Sequence, residues 1–225
     1  LTTKKPQLFP KVSPNGTDTI SKRQVFAGFE QKWRGSATLN KNLADFLSTA
    51  SPELKQKAGD NLVSIFHEMA YVFRAVHADP HGGNFLFQQD GSIGLLDFGC
   101  VKHLPMDFMH KYAVLGNAIV DRDEEVIIQV SKDMGILKEA PLEAQKVFLS
   151  FTEVMAEPFQ VAEYHSGGDE DQLMEKIKGV SASVLKYPEI CSPRDIIFLH
   201  RALTGIYSML CKLHHKGEYE KIRRY

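Results

Sequence analysis

Cysteine is scarce in this sequence of 225 residues, and its three copies, Cys100, Cys191 and Cys211, form no CxxC pair. An odd number of widely spaced cysteines argues against a disulfide framework and indicates free thiols in a reducing compartment. Net charge is nearly absent as well, because 27 Lys and Arg stand against 28 Asp and Glu. This balance removes the overall charge signal that would indicate binding to nucleic acid or to an anionic membrane.

The sequence also lacks an apolar run of the roughly 20 residues that a membrane-spanning helix needs. The most apolar stretch of the C-terminal part, 196–210, contains His200 and Arg201, and is predicted to be too short and too polar to span a bilayer. The chain starts at Leu1 with no signal-peptide pattern. We therefore expect a cytoplasmic or peripheral-membrane location. Basic residues at 214–216 and 221–224 form a tail that is either solvated or in contact with a partner or membrane surface.

The composition is that of a folded protein, with 43% hydrophobic and 24% charged residues, and the length suits one large domain or two small ones. Apolar periodicity and turn residues predict short strands before residue 30, two helices, a short hairpin and about five further helices. Thr38 is predicted to cap the first helix, and Ser51 the second, which should end near His77. The hairpin strands are predicted at 84–87 and 93–97, and the later helices near 106–120, 123–133, 141–156, 171–186 and 193–212.

The hairpin contains the residues that indicate a chemical function. Asp79 is followed five residues later by Asn84, and Asp97 opens an Asp-Phe-Gly thirteen residues after Asn84. Protein kinases use an aspartate, an asparagine and a later Asp-Phe-Gly in this order to orient the attacking hydroxyl and to bind magnesium. Carboxylate and amide oxygens are ligands that Mg²⁺ prefers. The spacing therefore predicts phosphoryl transfer with ATP and Mg²⁺, with Asp79 as the catalytic residue and Asn84 and Asp97 as metal ligands.

The loop 77–84 has an Asp-Pro-His-x-Gly-Asn core where ordinary protein kinases have His-Arg-Asp. In this it resembles the UbiB/AarF-type atypical kinases, a family associated with ubiquinone biosynthesis. The resemblance extends from about residue 8 to about residue 212. It includes Phe-Pro-Lys-Val at 9–12, Val-Phe-Ala-Gly-Phe-Glu at 25–30, Leu-Leu-Asp-Phe-Gly at 95–99 and the segment 192–205.

The resemblance implies an α+β, protein-kinase-like fold. Residues 31–225 would form the helical large (C-terminal) lobe with the catalytic loop, and residues 1–30 would be a remnant of the small-lobe strands and hinge. The segment 24–30 would lead to the hinge that holds adenine, with Glu30 among the nucleotide-binding residues. ATP and Mg²⁺ are the cofactors that the family implies.

The resemblance also assigns roles around Asp97. Phe98 would pack to set the position of Asp97, Gly99 would allow the turn beside the nucleotide, and His77 and His81 would support the loop. The implied activity is that of an atypical kinase or ATPase linked to ubiquinone synthesis or lipid homeostasis. The implied partners are a nucleotide and an unidentified protein or component of a lipid pathway, with peripheral membrane contact and no nucleic acid.

The sequence departs from the family in its N-terminal part. The Lys-x-Gly-Gln helix, the Ala- or Gly-rich nucleotide loop, the strand lysine and its partner glutamate are not recognisable, and there is no GxGxxG. The hinge that the resemblance implies would begin near Glu30, which would leave too few residues before it for a small lobe. We expect a C-terminal fragment that lacks the phosphate clamp and is a poor catalyst alone.

Three other interpretations stay open at this point. A small-molecule phosphotransferase of the aminoglycoside or choline type shares a His-x-Asp-x4-Asn loop. A non-catalytic scaffold would bind nucleotide and change its affinity for a partner without turnover. His77, Asp79 and His81 could instead form a metal-hydrolase cluster. The acidic segment 166–171 is predicted to be a flexible loop without a chemical role.

Overall fold

The computed structural model describes residues 41–219, so the predicted small-lobe remnant at 1–30, including Glu30, lies outside the described residues. The described part contains helices α1 Leu43–Thr49, α2 Pro52–His67, α3 Met106–Asp121, α4 Glu124–Asp133, α5 Leu142–Ala156, α6 Leu173–Val184 and α7 Arg194–Leu213. Its strands are β1 Ala75–His77, β2 Phe85–Phe87, β3 Ile93–Leu95, β4 Val101–His103, β5 Tyr164–His165 and β6 Lys216–Gly217. Helices dominate, and α3 to α7 begin and end within two residues of their predicted bounds.

Side-chain caps determine where the first two helices begin. The Ser51 hydroxyl accepts a hydrogen bond from the Leu54 N–H, and Pro52 occupies the first helical position of α2, as predicted. The Asn42 side chain caps α1 by accepting from the Asp45 N–H. The cap predicted at Thr38 lies outside the described residues.

The end of α2 differs from the prediction. The α-helix stops at His67 rather than near His77, a π-helical turn follows at Glu68–Val72, and Arg74 takes a left-handed φ of 50°. The chain then forms β1, which pairs antiparallel with β4, with His77 opposite Val101. The helix predicted from apolar periodicity is wrong for β1. The strand is formed by pairing with β4, which lies more than 20 residues further along the chain, and this pairing overrides the local helical preference.

The predicted hairpin is present, and it places two candidate residues at one end. Strands β2 and β3 pair antiparallel, with Phe85 opposite Leu95. The pairing continues for one more hydrogen bond, from the Leu96 N–H to the Asn84 carbonyl oxygen at 2.8 Å. Strand β3 ends at Leu95 rather than at the predicted residue 97, so Asp97 lies in the turn that follows.

Helix α7 is a central support of the main hydrophobic core. Its buried residues Leu199, Ala202 and Ile206 pack into a cluster that also includes residues of α2 and of the β2–β3 hairpin. A second cluster lies between α3, α4 and α5. By length and composition alone, the 20 residues of α7 could cross a membrane, with a mean hydropathy of 1.3. This is weak support for a membrane span, because buried helices of a core satisfy the same test.

The predicted basic tail is partly folded. His215 is 1% exposed, and its Nε2 lies 3.0 Å from Asp60 Oδ1 on α2. The Lys216 N–H donates to Gln56 Oε1 at 3.0 Å. The prediction of a solvated terminus is therefore wrong for His215, which belongs to the packed structure, and residues 221–224 lie outside the described part.

Candidate active site

Asp79 lies in the loop that follows β1, and its main chain is held by three hydrogen bonds. Its N–H donates to His77 Nδ1 at 3.2 Å. Its carbonyl oxygen accepts from Asn84 Nδ2 at 2.9 Å and from the His81 N–H at 2.9 Å. The carboxylate itself is 42% exposed, so it is open to a substrate while its backbone is fixed.

His77 connects the Asp79 loop to the Asp97 turn. Its side chain is buried, and Nε2 lies 2.9 Å from the Asp97 carbonyl oxygen and 3.1 Å from that of Leu96. Because Nδ1 accepts the Asp79 N–H, the ring proton must sit on Nε2, which then donates to these carbonyl groups. One neutral imidazole thus ties together two segments that are 18 residues apart.

Asp97 and Gly99 lie in a tight turn, and Asp97 rather than the glycine has the unusual backbone conformation. Asp97 has the left-handed conformation (φ 51°, ψ 74°), and its Oδ1 accepts from the Gly99 N–H at 3.1 Å. A Cβ at Gly99 would lie 3.0 Å from Asp97 Oδ1. Asp97 thus takes the left-handed conformation, and glycine at 99 leaves room for the close approach, which agrees with the prediction that Gly99 allows the turn. The packing role predicted for the Phe98 side chain lies outside what the structure describes.

The oxygen atoms of Asn84 and Asp97 fit a magnesium ion. Asn84 is 7% exposed, and its Nδ2 is engaged with the Asp79 carbonyl, which leaves Oδ1 as the acceptor with which it can bind a cation. Asp97 is exposed and offers a carboxylate. An amide oxygen and a carboxylate are hard ligands that suit Mg²⁺, which uses few protein ligands and keeps several waters.

His81 takes a different position from His77. Its side chain is 60% exposed, Nδ1 accepts from the Gly83 N–H at 3.1 Å, and Nε2 lies 3.5 Å from Asp79 Oδ2. The metal-hydrolase interpretation requires both histidines as ligands, but both nitrogens of His77 are bound to the main chain. Within residues 41–219 no group of three or more His, Cys, Asp or Glu side chains converges as a metal site.

One residue of the site was not predicted as functional. Arg201 of α7 places Nη2 at 3.2 Å from Asp79 Oδ1. The resemblance to the family includes Arg201 within the segment 192–205, but spacing along the chain says nothing about a contact across 122 residues. Arg201 could have been suggested as a cation on a helix that faces the loop. Which helix faces the loop, however, is known only from the topology.

Comparisons with known proteins agree with this geometry. Residues 41–131, which include the whole candidate site except Arg201, match the ABC1 atypical kinase-like domain. The chain is similar to the mitochondrial atypical kinase COQ8 of Saccharomyces cerevisiae, with 28% identity over 73% of this chain and 33% of the relative. It is also similar to the mitochondrial atypical kinase COQ8B of Danio rerio, with 24% identity over 68% of this chain and 25% of the relative.

A solved structure shows the same fold. The Mycobacterium tuberculosis protein Rv3197, solved in complex with erythromycin, superposes with a TM-score of 0.64 at 17% identity, over 82% of this chain and 46% of that one. The predicted kinase-like, mostly helical lobe is thereby confirmed. The chain spans about a third or less of the length of the curated relatives named above. The Asp-Pro-His-x-Gly-Asn loop and the Asp-Phe-Gly both lie inside the region that matches the ABC1 atypical kinase-like domain, and the predicted resemblance to the UbiB/AarF-type atypical kinases is thereby confirmed.

Proposed function

We propose that this chain carries the catalytic loop and the metal ligands of an ATP- and Mg²⁺-dependent phosphoryl-transfer site, acting as an atypical kinase or ATPase. The observation that carries the proposal is the hydrogen-bonded unit around His77. It fixes the backbones of Asp79 and Asp97 against each other while both carboxylates stay accessible. The link to ubiquinone synthesis or lipid homeostasis, and a peripheral-membrane location, are proposed on the family resemblance alone.

The residues divide the work by position. Asp79 would accept a hydrogen bond from the attacking hydroxyl or water and orient it toward the phosphate. Asn84 Oδ1 and the Asp97 carboxylate would hold Mg²⁺, which when bound neutralises charge on the nucleotide phosphates. Asn84 would have two roles, because its Nδ2 also donates a hydrogen bond to the Asp79 carbonyl oxygen. The metal site and the catalytic loop are thus set by the same side chain.

Magnesium-dependent ATP binding and hydrolysis by the complete protein that carries this chain, beside an Asp97→Asn variant, tests the proposal. We expect the variant to lose at least about 90% of hydrolysis, because an amide is a poorer Mg²⁺ ligand than a carboxylate. Asp133→Asn is the matched control, since Asp133 is an exposed carboxylate at the end of α4. It should keep wild-type activity.

Three other results have distinct meanings. Nucleotide binding without hydrolysis in the wild type would indicate that the protein is a nucleotide-responsive scaffold rather than an enzyme. An absence of nucleotide binding in the complete wild-type protein would overturn the kinase-like interpretation of this site. Phosphorylation of small acceptors by the wild type, in a panel that includes aminoglycosides and choline, would indicate a small-molecule phosphotransferase instead.

A further inference from the structure

Helix α7 touches the catalytic loop with its backbone. A Cβ at Gly205 would overlap both Pro80 Cγ and the Pro80 carbonyl oxygen, so only glycine lets the helix lie this close to the loop. Arg201 lies one helical turn before Gly205, on the same face. The residue next to Asp79 in sequence is therefore pressed against α7, and the Arg201 side chain starts from a fixed backbone beside Asp79.

The main chain and the side chain of Asp79 are held by different parts of the protein. Its N–H and carbonyl oxygen bond within the loop, to His77, His81 and Asn84. Its carboxylate Oδ1 is bound by Arg201 Nη2 at 3.2 Å, whereas Oδ2 lies 3.5 Å from His81 Nε2. Among residues 41–219, Arg201 is thus the side chain that donates a hydrogen bond to this carboxylate and fixes its orientation.

Two titratable groups that precede Arg201 on α7, His200 and Asp195, are engaged elsewhere. His200 is buried against Tyr112, whose hydroxyl lies 3.2 Å from Nε2, and burial lowers the pKa of His200 to about 4. Asp195 pairs with Lys102 of β4 at 2.7 Å. Neither His200 nor Lys102 therefore takes the place of Arg201 beside Asp79.

The contact between Arg201 and Asp79 contributes little to folding. The two side chains are 58% and 42% exposed, and exposed ion pairs typically contribute under about 1 kcal/mol. The contact must then matter chiefly through its effect on the orientation of the Asp79 carboxylate. An exposed aspartate on its own samples several rotamers, and small misplacements of a catalytic group can cost about a hundredfold in rate.

We infer that Arg201 is a positioning residue for the phosphoryl-transfer reaction: from α7 it holds the Asp79 carboxylate in the orientation that receives the attacking group. The inference rests on the proposed function of Asp79. It makes α7, a helix more than 100 residues downstream, part of the active site. The hydrogen bonds within the loop fix the position of the Asp79 backbone, whereas Arg201 fixes the orientation of the Asp79 side chain.

The test is a double-mutant cycle in the complete protein, with Arg201→Gln, Asp79→Asn and the two combined. For each variant, kcat and KM for ATP hydrolysis, the Kd for Mg²⁺–ATP and the Tm are measured. Arg201→Gln should lower kcat about tenfold to a hundredfold, with the Kd for nucleotide within about twofold and Tm nearly unchanged. In the Asp79→Asn background the same change should have no further effect, because the group that Arg201 positions is gone.

Two further variants complete the comparison. Arg201→Lys should recover part of the lost kcat, because a single N–O contact can be made by an ammonium group. Lys146→Gln on α5 is the matched control, since it removes an exposed cation that pairs with Glu143 at 3.0 Å and lies outside the site. It should leave kcat at the wild-type value.

Several results would overturn the inference. Equal losses from Arg201→Gln with and without the Asp79 carboxylate would mean that Arg201 acts on the phosphates or the acceptor by itself. An unchanged kcat, or a loss of activity that follows a fall in Tm, would also contradict it. Failure of the proposed function is recognised separately, by a wild-type protein that does not hydrolyse ATP, in which case the role of Arg201 falls with it.

Discussion

Replacing His77 with alanine is expected to lower both the turnover and the stability of the protein. The ring is 1% exposed and makes contacts to the main chain at Asp79, Leu96 and Asp97, and all are lost together. Leaving these partly buried backbone groups without the His77 ring, beside a cavity, should cost about 3 kcal/mol in the free energy of unfolding. We expect kcat to fall at least about a hundredfold, since the catalytic and the metal-binding aspartates are released from each other.

The measurements are urea unfolding and ATP hydrolysis on the same preparation of the complete protein. His77→Gln serves as the conservative variant, because its amide nitrogen can still donate to the carbonyl groups of Leu96 and Asp97, and it should recover part of the stability. His110→Ala, at an exposed histidine of α3, is the control and should change neither property. Full activity in a folded His77→Ala protein would contradict the connection between the two segments.

Much of the site was predictable because its signals are local. The hairpin follows from two short apolar runs and a turn, and Ser51 with Pro52 marks the start of α2. The spacing of Asp79, Asn84 and Asp97 predicts a common site, since a hairpin returns the chain to its starting point. The structure does bring their segments together, through the ring of His77 and the amide of Asn84.

The features that sequence reasoning missed depend on contacts between distant segments. Strand β1 has the apolar pattern of the preceding helix, and only pairing with β4 makes it a strand. In the sequence, nothing distinguishes Arg201 from any other exposed helix residue. Its role depends on the close approach of Gly205 to Pro80. No pattern within one segment contains this information, because it arises from tertiary packing.

The acidic segment 166–171 is the clearest case, because it was predicted to be a flexible loop and contains a structural centre. The Asp171 carboxylate accepts hydrogen bonds from the Tyr164 hydroxyl at 2.6 Å, from the Tyr207 hydroxyl at 2.6 Å and from the Gly167 N–H at 2.6 Å. It also accepts from the Leu173 N–H at 3.2 Å. These bonds join β5, α7 and the start of α6 at one side chain.

Replacing Asp171 with asparagine is therefore expected to destabilise the protein by about 3 kcal/mol. The amide keeps a single acceptor oxygen and turns a donor group toward the donors of the other oxygen, so either Gly167 or the pair Tyr164 and Leu173 loses its acceptor. Asp169→Asn, an exposed position in the same loop, should change the free energy of unfolding by less than about 0.5 kcal/mol. Tyr207→Phe removes one donor and should cost about 1 kcal/mol. Chemical unfolding of the four proteins side by side gives these values.

The pH dependence of the Asp171→Asn effect checks its electrostatic origin. Burial raises the pKa of Asp171, but the hydrogen bonds from Gly167, Tyr164 and Tyr207 outweigh it, so the pKa lies below its usual value. A carboxyl group with a lowered pKa in the folded state stabilises the protein fully above its unfolded pKa, and this stability is lost as pH falls through the folded pKa. The stability difference between wild type and Asp171→Asn should thus be largest near neutral pH and shrink below about pH 4. A difference that stays constant down to pH 2.5 would show that side-chain shape, rather than the ionised carboxylate, holds these three elements together.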